Sequence, residues 1–536
     1  MKPSPSNAGT PDDRATVEAS SGQALMESAQ AWARRAERSA DGSLQAWLHC
    51  ASDAYRALAA DERTSADAAA LATRAAAEVL SRVLHQHPDA WSPGRVRIGE
   101  VRFHVELRDV SPDLRPPLRI RRAQDVSMDA FDGERHSRPG FGVPVAVLPL
   151  RWDAEPLHRL APRSGVFRNL TAWIEPDASQ PDAAPRLVFA DPLKLDALSI
   201  GAHRFPLARD TSAGYAWGME VSKLERLGLW GLIGGRQIGQ RAGLYLLEDY
   251  DPGKRPLVMI HGLGSNPLIW SRLSNAVWGA DDLRARFQIW QVVYQTDAPL
   301  LVARLRLQDY LDAAWRELDP KGERKARAGT VLIGHSMGGV VSRLLCAHSG
   351  DALWNAAFLV PPASLRASAE DLALIQRIFS FHPYPGVSRA VFLAAPHRGS
   401  PSAATLPGRV TRDLVGRRAV EVHALRRIAL ANPEAIRPEL RAVFEQGWIN
   451  SITTLQAEQP VRRAAEALLP APGIAYNTIA GVQPGRRMKS DGVVPLESAL
   501  IPGAESSLVV ESGHRVHEHP LAVAEVLRIL RGAGAH

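Results

Sequence analysis

The sequence predicts an α/β protein: a mainly parallel sheet with helices on both faces and a helical cap, preceded by a small helical region and a β-rich region. Three observations carry this expectation. In the carboxyl-terminal half, continuous apolar runs alternate with helical stretches, as strands buried on both faces of a parallel sheet require. Near the amino terminus the apolar spacing is helical, and between the two parts it switches to a period of two. The length of 536 residues has room for about three to four domains at roughly 150 residues each.

Residues 1–20 are rich in Ser, Pro, Asp and Gly. They bury too little apolar surface to offset the entropy of ordering, so a disordered tail is expected. Over 21–90 one helical face carries Leu25, Ala29, Trp32 and Ala33. A second carries Leu44, Trp47, Leu48, Ala51, Tyr55 and Leu58, and a third Leu71, Ala75, Val79, Val83 and Leu84. Breaks at Asp41-Gly42 and Asp61–Ser65 separate three short amphipathic helices, whose aromatic residues read as helix packing. From 95 to 243, Val101, Phe103, Val105 and Leu107 alternate with polar residues, and short apolar runs follow at Val143–Leu150, Trp173-Ile174 and Leu187–Ala190. This is a β-rich accessory domain with no legible motif. The apolar segment Leu227–Ile233 is expected to be buried against the next domain. From 244 to 536 the strands are read at Leu257–Ile260, Phe287–Tyr294, Val331–Ile333, Val391–Leu393, Ile474–Ala480 and Ser507–Val510. Helices fall between them, such as Leu300–Leu318 and one starting near Val340.

Composition excludes several function classes. A net charge of +7 over this length is too small to argue for nucleic acid, and the basic pairs Arg121-Arg122, Arg417-Arg418 and Arg486-Arg487 are scattered among acids. The same balance suits an anionic partner, including peripheral contact with a membrane surface. Two cysteines, Cys50 and Cys346, make no disulfide framework. No apolar run approaches the roughly 18 residues of a membrane span, and no signal-peptide pattern follows Met1. A cytoplasmic protein is the expectation. No Cys pair or helical His-x-x-x-His with a partnering Glu is present, so neither a metal nor a cofactor is expected.

The sharpest chemistry lies in Val331-Leu332-Ile333-Gly334-His335-Ser336-Met337-Gly338-Gly339, a strand that ends in G-x-S-x-G and runs into an apolar helix. A serine on such a turn presents its hydroxyl above the sheet, at the electropositive end of a helix. Upstream, Val258-Met259-Ile260-His261-Gly262-Leu263-Gly264-Ser265 is a second strand followed by a His-Gly loop. The N–H groups of Leu263 and Met337 are candidate donors to an oxyanion, while His261 reads as a loop-packing residue. A serine nucleophile needs a base, and the base needs an orienting carboxylate. Asp491, in Ser490-Asp491-Gly492-Val493-Val494-Pro495, and His514, in Glu511-Ser512-Gly513-His514, follow two later strands at the same sheet edge. The order Ser, Asp, His is the one such an architecture requires. Ala394–Ser400, after the intervening strand, offers no competing carboxylate. His517 is the alternative base, His519 reads as a helix-cap or surface residue, and Asp297 as structural.

These motifs, His261-Gly262-Leu263-Gly264, Gly334-His335-Ser336-Met337-Gly338-Gly339, Ala395-Pro396-His397-Arg398-Gly399-Ser400, Ser490–Pro495 and Ser512-Gly513-His514, resemble those of the α/β-hydrolase superfamily in its bacterial lipase/esterase-like branch. The resemblance covers a little over half the chain. It implies Ser336 as nucleophile, Asp491 as acid, His514 as base, and the Leu263 and Met337 N–H groups as oxyanion hole. Two insertions, at about 352–385 and 401–472, depart from a minimal hydrolase. Their apolar and helical content predicts a cap that binds acyl chains and moves. The expected activity is cleavage of carboxylic esters, with a lipid or acyl ester as the small-molecule partner. An amidase or acyltransferase using the same residues, or a non-catalytic scaffold whose amino-terminal half is the working surface, are the alternatives.

Overall fold

The computed structural model describes residues 11–38, 43–60, 65–88, 91–112, 114, 116–149, 160–161, 166–177, 183–222, 242–323, 325–400, 419–447, 459–485 and 488–533. The chain divides into two compact units, one of Met1–Trp152 with Arg163–Val221 and one of Asp153–Pro162 with Ser222–His536. The segment Leu227–Ile233 and residues 1–10 lie outside the described residues.

In the first unit, α1 (Pro11–Arg38), α2 (Ser43–Ala60) and α3 (Ser65–Gln86) precede a mixed sheet of six strands. Its members are β1 (Gly94–Ile98), β2 (Val101–Arg108), β3 (Leu118–Arg122), β5 (Val143–Pro149), β6 (Arg168–Glu175) and β7 (Arg186–Ala190), in the order β1-β2-β7-β6-β5-β3. Two ribbons complete it, β4 (Ser137–Arg138) with β10 (Arg209–Asp210) and β8 (Ala197–Ile200) with β9 (His203–Pro206). Trp47, Leu58 and Val79 of the helices share one buried core with Phe103, Val105, Trp173 and Phe189 of the sheet. A three-helix layer with one apolar face needs such a partner. Residues 11–20 belong to α1. Pro11 followed by Asp12-Asp13 is a helix-start signature, and extending an existing helix costs far less than nucleating one.

The second unit is built on seven strands: β11 (Gly243–Leu246), β12 (Arg255–Ile260), β13 (Phe287–Val293), β14 (Thr330–His335), β15 (Val387–Leu393), β16 (Ala475–Gly481) and β17 (Ser506–Val510). Their order is β11-β13-β12-β14-β15-β16-β17. Only β11 runs antiparallel to its neighbour; the ladders from β13 through β17 are parallel. Central strands are apolar throughout because both faces are covered: all six residues of β14 are buried. Parallel strands put their carboxyl ends on one edge, where ligands collect in such sheets. The loops after β12, β14, β16 and β17 therefore open on the same side.

Among the described residues of the two insertions, helices occupy Ala352–Ala357, Ala369–Phe379, Val420–Ala431, Pro438–Gln446 and Pro460–Glu466. Their apolar residues Trp354, Phe358, Phe379, Leu425, Phe444 and Val461 join the core of the sheet. Residues 401–418 and 448–458 of the second insertion lie outside the described residues. No helix among the described residues is long and apolar enough to cross a membrane.

Candidate active site

Strand β14 ends at His335, and the chain turns at Ser336 into the helix Met337–Leu345. Ser336 has φ 55° and ψ −126°, a conformation that costs a residue with a side chain about 1–3 kcal/mol. The turn is held by its surroundings. The Ser336 N–H donates to the Leu393 carbonyl at the end of β15 (2.9 Å), and the Ser336 carbonyl accepts from the Gly339 N–H (2.9 Å). Glycines make it compact: a Cβ on Gly334 would lie 2.5 Å from the Gly338 carbonyl oxygen, and one on Gly339 would lie 2.5 Å from the Ala395 methyl. A Cβ on Gly338 would collide with the Ile260 carbonyl oxygen. The helix begins at Met337, three residues before the expected start near Val340, because these glycines pack its first turn directly onto β12 and β15.

The loop after β16 carries Asp491, which is almost fully buried. Its Oδ1 accepts from the N–H groups of Val493 (2.8 Å) and Val494 (2.7 Å), and its Oδ2 lies 2.8 Å from His514 Nδ1. The loop after β17 carries His514, whose Nε2 lies 2.9 Å from Ser336 Oγ. A carboxylate only accepts, so the ring proton sits on Nδ1 and Nε2 is the acceptor for the serine hydroxyl. This is the tautomer a general base needs. Gly481 permits the approach of the two loops, since a Cβ there would stand 2.9 Å from the Ser512 carbonyl oxygen and 3.1 Å from Asp491 Cβ.

The alternative histidines lie elsewhere. The ring of His517 is buried edge-on against His335 (4.4 Å between centroids) and near Trp270 (6.0 Å). His519 caps the helix Pro520–Gly532, its Nδ1 accepting from the Leu521 N–H at 3.2 Å. His261 packs against Tyr294 with the rings tilted and their centroids 4.7 Å apart, and the Tyr294 hydroxyl donates to the His261 carbonyl at 2.8 Å. Burial pushes the His261 imidazole down to about 4, so it stays neutral and holds the loop. Asp297 is buried beside that loop's support: the neighbouring Thr296 hydroxyl accepts from the Gly264 N–H at 3.1 Å.

The His-Gly loop reaches the serine, because a Cβ on Gly262 would lie 2.8 Å from Ser336 Cβ. Leu263 follows Gly262, and Met337 opens the helix after Ser336. Neither N–H donates to a backbone carbonyl among the described residues. The two N–H groups are therefore the candidate donors to an oxyanion.

A small apolar cavity of about 50 Å³ lies in the same unit between Leu300–Val302 and the inserted helices, and neither Ser336 nor His514 is among its lining. Ile378, Phe379, Val422, Leu425, Phe444 and Val461 line it, with Glu421 and Arg462 among its polar members. Two bidentate ion pairs tie the helix Val420–Ala431 down: Arg306 to Glu421 (2.8 and 2.7 Å) and Arg427 to Asp371 (2.9 and 2.6 Å).

Residues 257–526 match the model of the alpha/beta hydrolase family. The chain belongs to the alpha/beta hydrolase family. Solved structures similar to this hydrolase include the lipase BlEst2 of Bacillus licheniformis in its mature form. That protein is 16% identical, with 53% of this chain and 94% of that one covered and a TM-score of 0.30. A lipase-esterase related protein from Clostridium acetobutylicum is 12% identical, covering 55% of this chain and 100% of that one at a TM-score of 0.28. Lipase 1 from Pelosinus fermentans is 13% identical, covering 53% and 99% at a TM-score of 0.30. A search of curated protein sequences finds no match.

Sequence reasoning misses what surrounds the three candidate residues. Thr296 holds the His-Gly loop from a different strand end, and His335 touches the His514 loop across a sequence separation of 179. A pattern of spacing carries no signal for either contact.

Proposed function

We propose that this hydrolase cleaves carboxylic esters, with lipid or acyl esters as its substrates, through Ser336, His514 and Asp491. The reading is carried by one observation: His514 stands within hydrogen-bond reach of both the Ser336 hydroxyl and the Asp491 carboxylate. As Ser336 Oγ attacks the ester carbonyl carbon, its proton passes to His514 Nε2. The carbonyl oxygen becomes negative and accepts hydrogen bonds from the Leu263 and Met337 N–H groups, at the amino end of a helix. The carbon–oxygen bond to the alcohol then breaks, and the alcohol leaves with the proton from His514. Water, deprotonated by the same nitrogen, attacks the acyl-serine; the acid departs and Ser336 regains its proton. Asp491, fixed by two backbone N–H groups, keeps the His514 ring oriented and stabilises its protonated form. The cap formed by the apolar inserted helices is the element that takes the acyl chain. The basic overall balance suits substrates presented at an anionic surface.

The test is hydrolysis of p-nitrophenyl esters of graded acyl length. Wild-type protein turns them over with a preference for chains long enough to reach the apolar cap. Ser336→Ala and Asp491→Asn each lower kcat on the order of 10⁴-fold. Turnover that survives Ser336→Ala at the wild-type rate would overturn the assignment.

A further inference from the structure

His335 precedes the serine, yet its side chain takes part in no step described above. It is buried, at 6% exposure, and its Nε2 lies 2.8 Å from the backbone carbonyl oxygen of His514. A carbonyl only accepts, so Nε2 carries the proton and donates. Its ring packs at 4.9 Å from the His514 ring and at 4.4 Å from the His517 ring. On the other side it meets the His-Gly loop, since a Cβ on Gly262 would stand 3.3 Å from His335 Nδ1. One side chain, attached to the residue before the nucleophile, thus contacts both the loop that carries His514 and the loop that precedes the Leu263 N–H.

We propose that His335 is a positioning residue, whose Nε2–H sets the distance between His514 and Ser336 by holding the His514 carbonyl to the end of β14. The inference rests on the assignment of His514 as base. The Ser336–His514 contact spans loops from two strands that are not adjacent in the sheet. His335 supplies the direct link between them, in series with the hydrogen bond the base must make. Besides this bond, the hydrogen bond between His514 Nε2 and Ser336 Oγ joins the same histidine to the turn after β14. Small displacements matter here, because a misplacement of about 1 Å costs on the order of 100-fold in rate. The donor must also stay neutral, as a charge beside His514 would oppose the imidazolium formed during catalysis. Burial, with His517, His514 and His261 around it, holds the His335 ring well below the ordinary imidazole range.

The experiment compares His335→Gln with His335→Phe in the full chain. The Gln amide nitrogen reaches the place of Nε2 and keeps a donor; Phe keeps a ring and loses it. The readouts are the rate of Ser336 labelling by a fluorophosphonate, kcat and KM on a short soluble ester, and the thermal midpoint. His335→Phe is expected to lower the labelling rate and kcat about 10- to 100-fold with KM nearly unchanged. His335→Gln recovers most of that loss at a comparable thermal midpoint. The positioning role is overturned if His335→Phe labels at the wild-type rate, or if Gln and Phe fall equally. Absence of labelling in folded wild-type protein would sink the assignment of the base and this role together. Labelling of the wild type with an unaffected Phe variant sinks this role alone.

Discussion

His261, His335, His397 and His517 are all nearly inaccessible to solvent, and burial lowers the proton affinity of each. Their unfolded value is the ordinary one near 6.5. Below that pH the unfolded chain takes up protons that the native state refuses. The stability these residues contribute is therefore complete above about pH 6.5 and is lost as pH falls toward their folded values. For His261, lowered to about 4, the loss is on the order of 3 kcal/mol by the end of the window. His397 isolates the effect, because neither of its ring nitrogens has a hydrogen-bond partner among the described residues. His397→Leu is expected to leave the thermal midpoint at pH 7 unchanged or raised, and to reduce its fall between pH 7 and 4.5. A variant that melts lower at pH 7 and shows the same acid dependence contradicts this.

At the scale of elements, the inserted helix Pro460–Glu466 is anchored by the helix that follows Ser336. Arg343 is completely buried, and its guanidinium donates to the carbonyls of Ala465 (2.8 Å), Glu466 (3.3 Å) and Leu468. These carbonyls lie at and just past a helix end, where a cation is also favoured by the helix dipole, and the Ala465 carbonyl additionally accepts from the Leu468 N–H at 3.2 Å. Burial lowers Arg343 only to about 10, so it stays charged at neutral pH. Arg343→Met fills the space but removes the guanidinium donor from the Glu466 and Leu468 carbonyls. It is expected to cost about 3 kcal/mol in denaturant unfolding, and an unchanged midpoint would refute the anchoring. The strands that carry the site are legible in the sequence because continuous apolar runs such as Leu257–Ile260 and Val331–Ile333 have few other uses. The helix start at Met337 is not, because Gly338 and Gly339 read locally as loop residues. Their place inside the helix is decided by packing against Ile260 and Ala395.

Across the whole molecule, the order Ser, Asp, His and the strand before each residue point in the sequence to Ser336, Asp491 and His514 as candidates, with His517 as the alternative base, and the structure brings Ser336, Asp491 and His514 within hydrogen-bond reach. Parallel topology sends every strand end to one edge, so chain order translates into proximity. The joining of the helical and β-rich regions into one unit is not legible, because an amphipathic face does not say which surface covers it. The central claim is that residues 178 apart in sequence, Ser336 and His514, form one activated nucleophile. Labelling of the full chain by a fluorophosphonate, with the modified residue located by mass spectrometry, tests it most directly. The account predicts modification at Ser336 alone, abolished by His514→Ala and retained in His517→Gln. Modification at another residue, labelling that persists in His514→Ala, or none in the folded wild-type protein would contradict it.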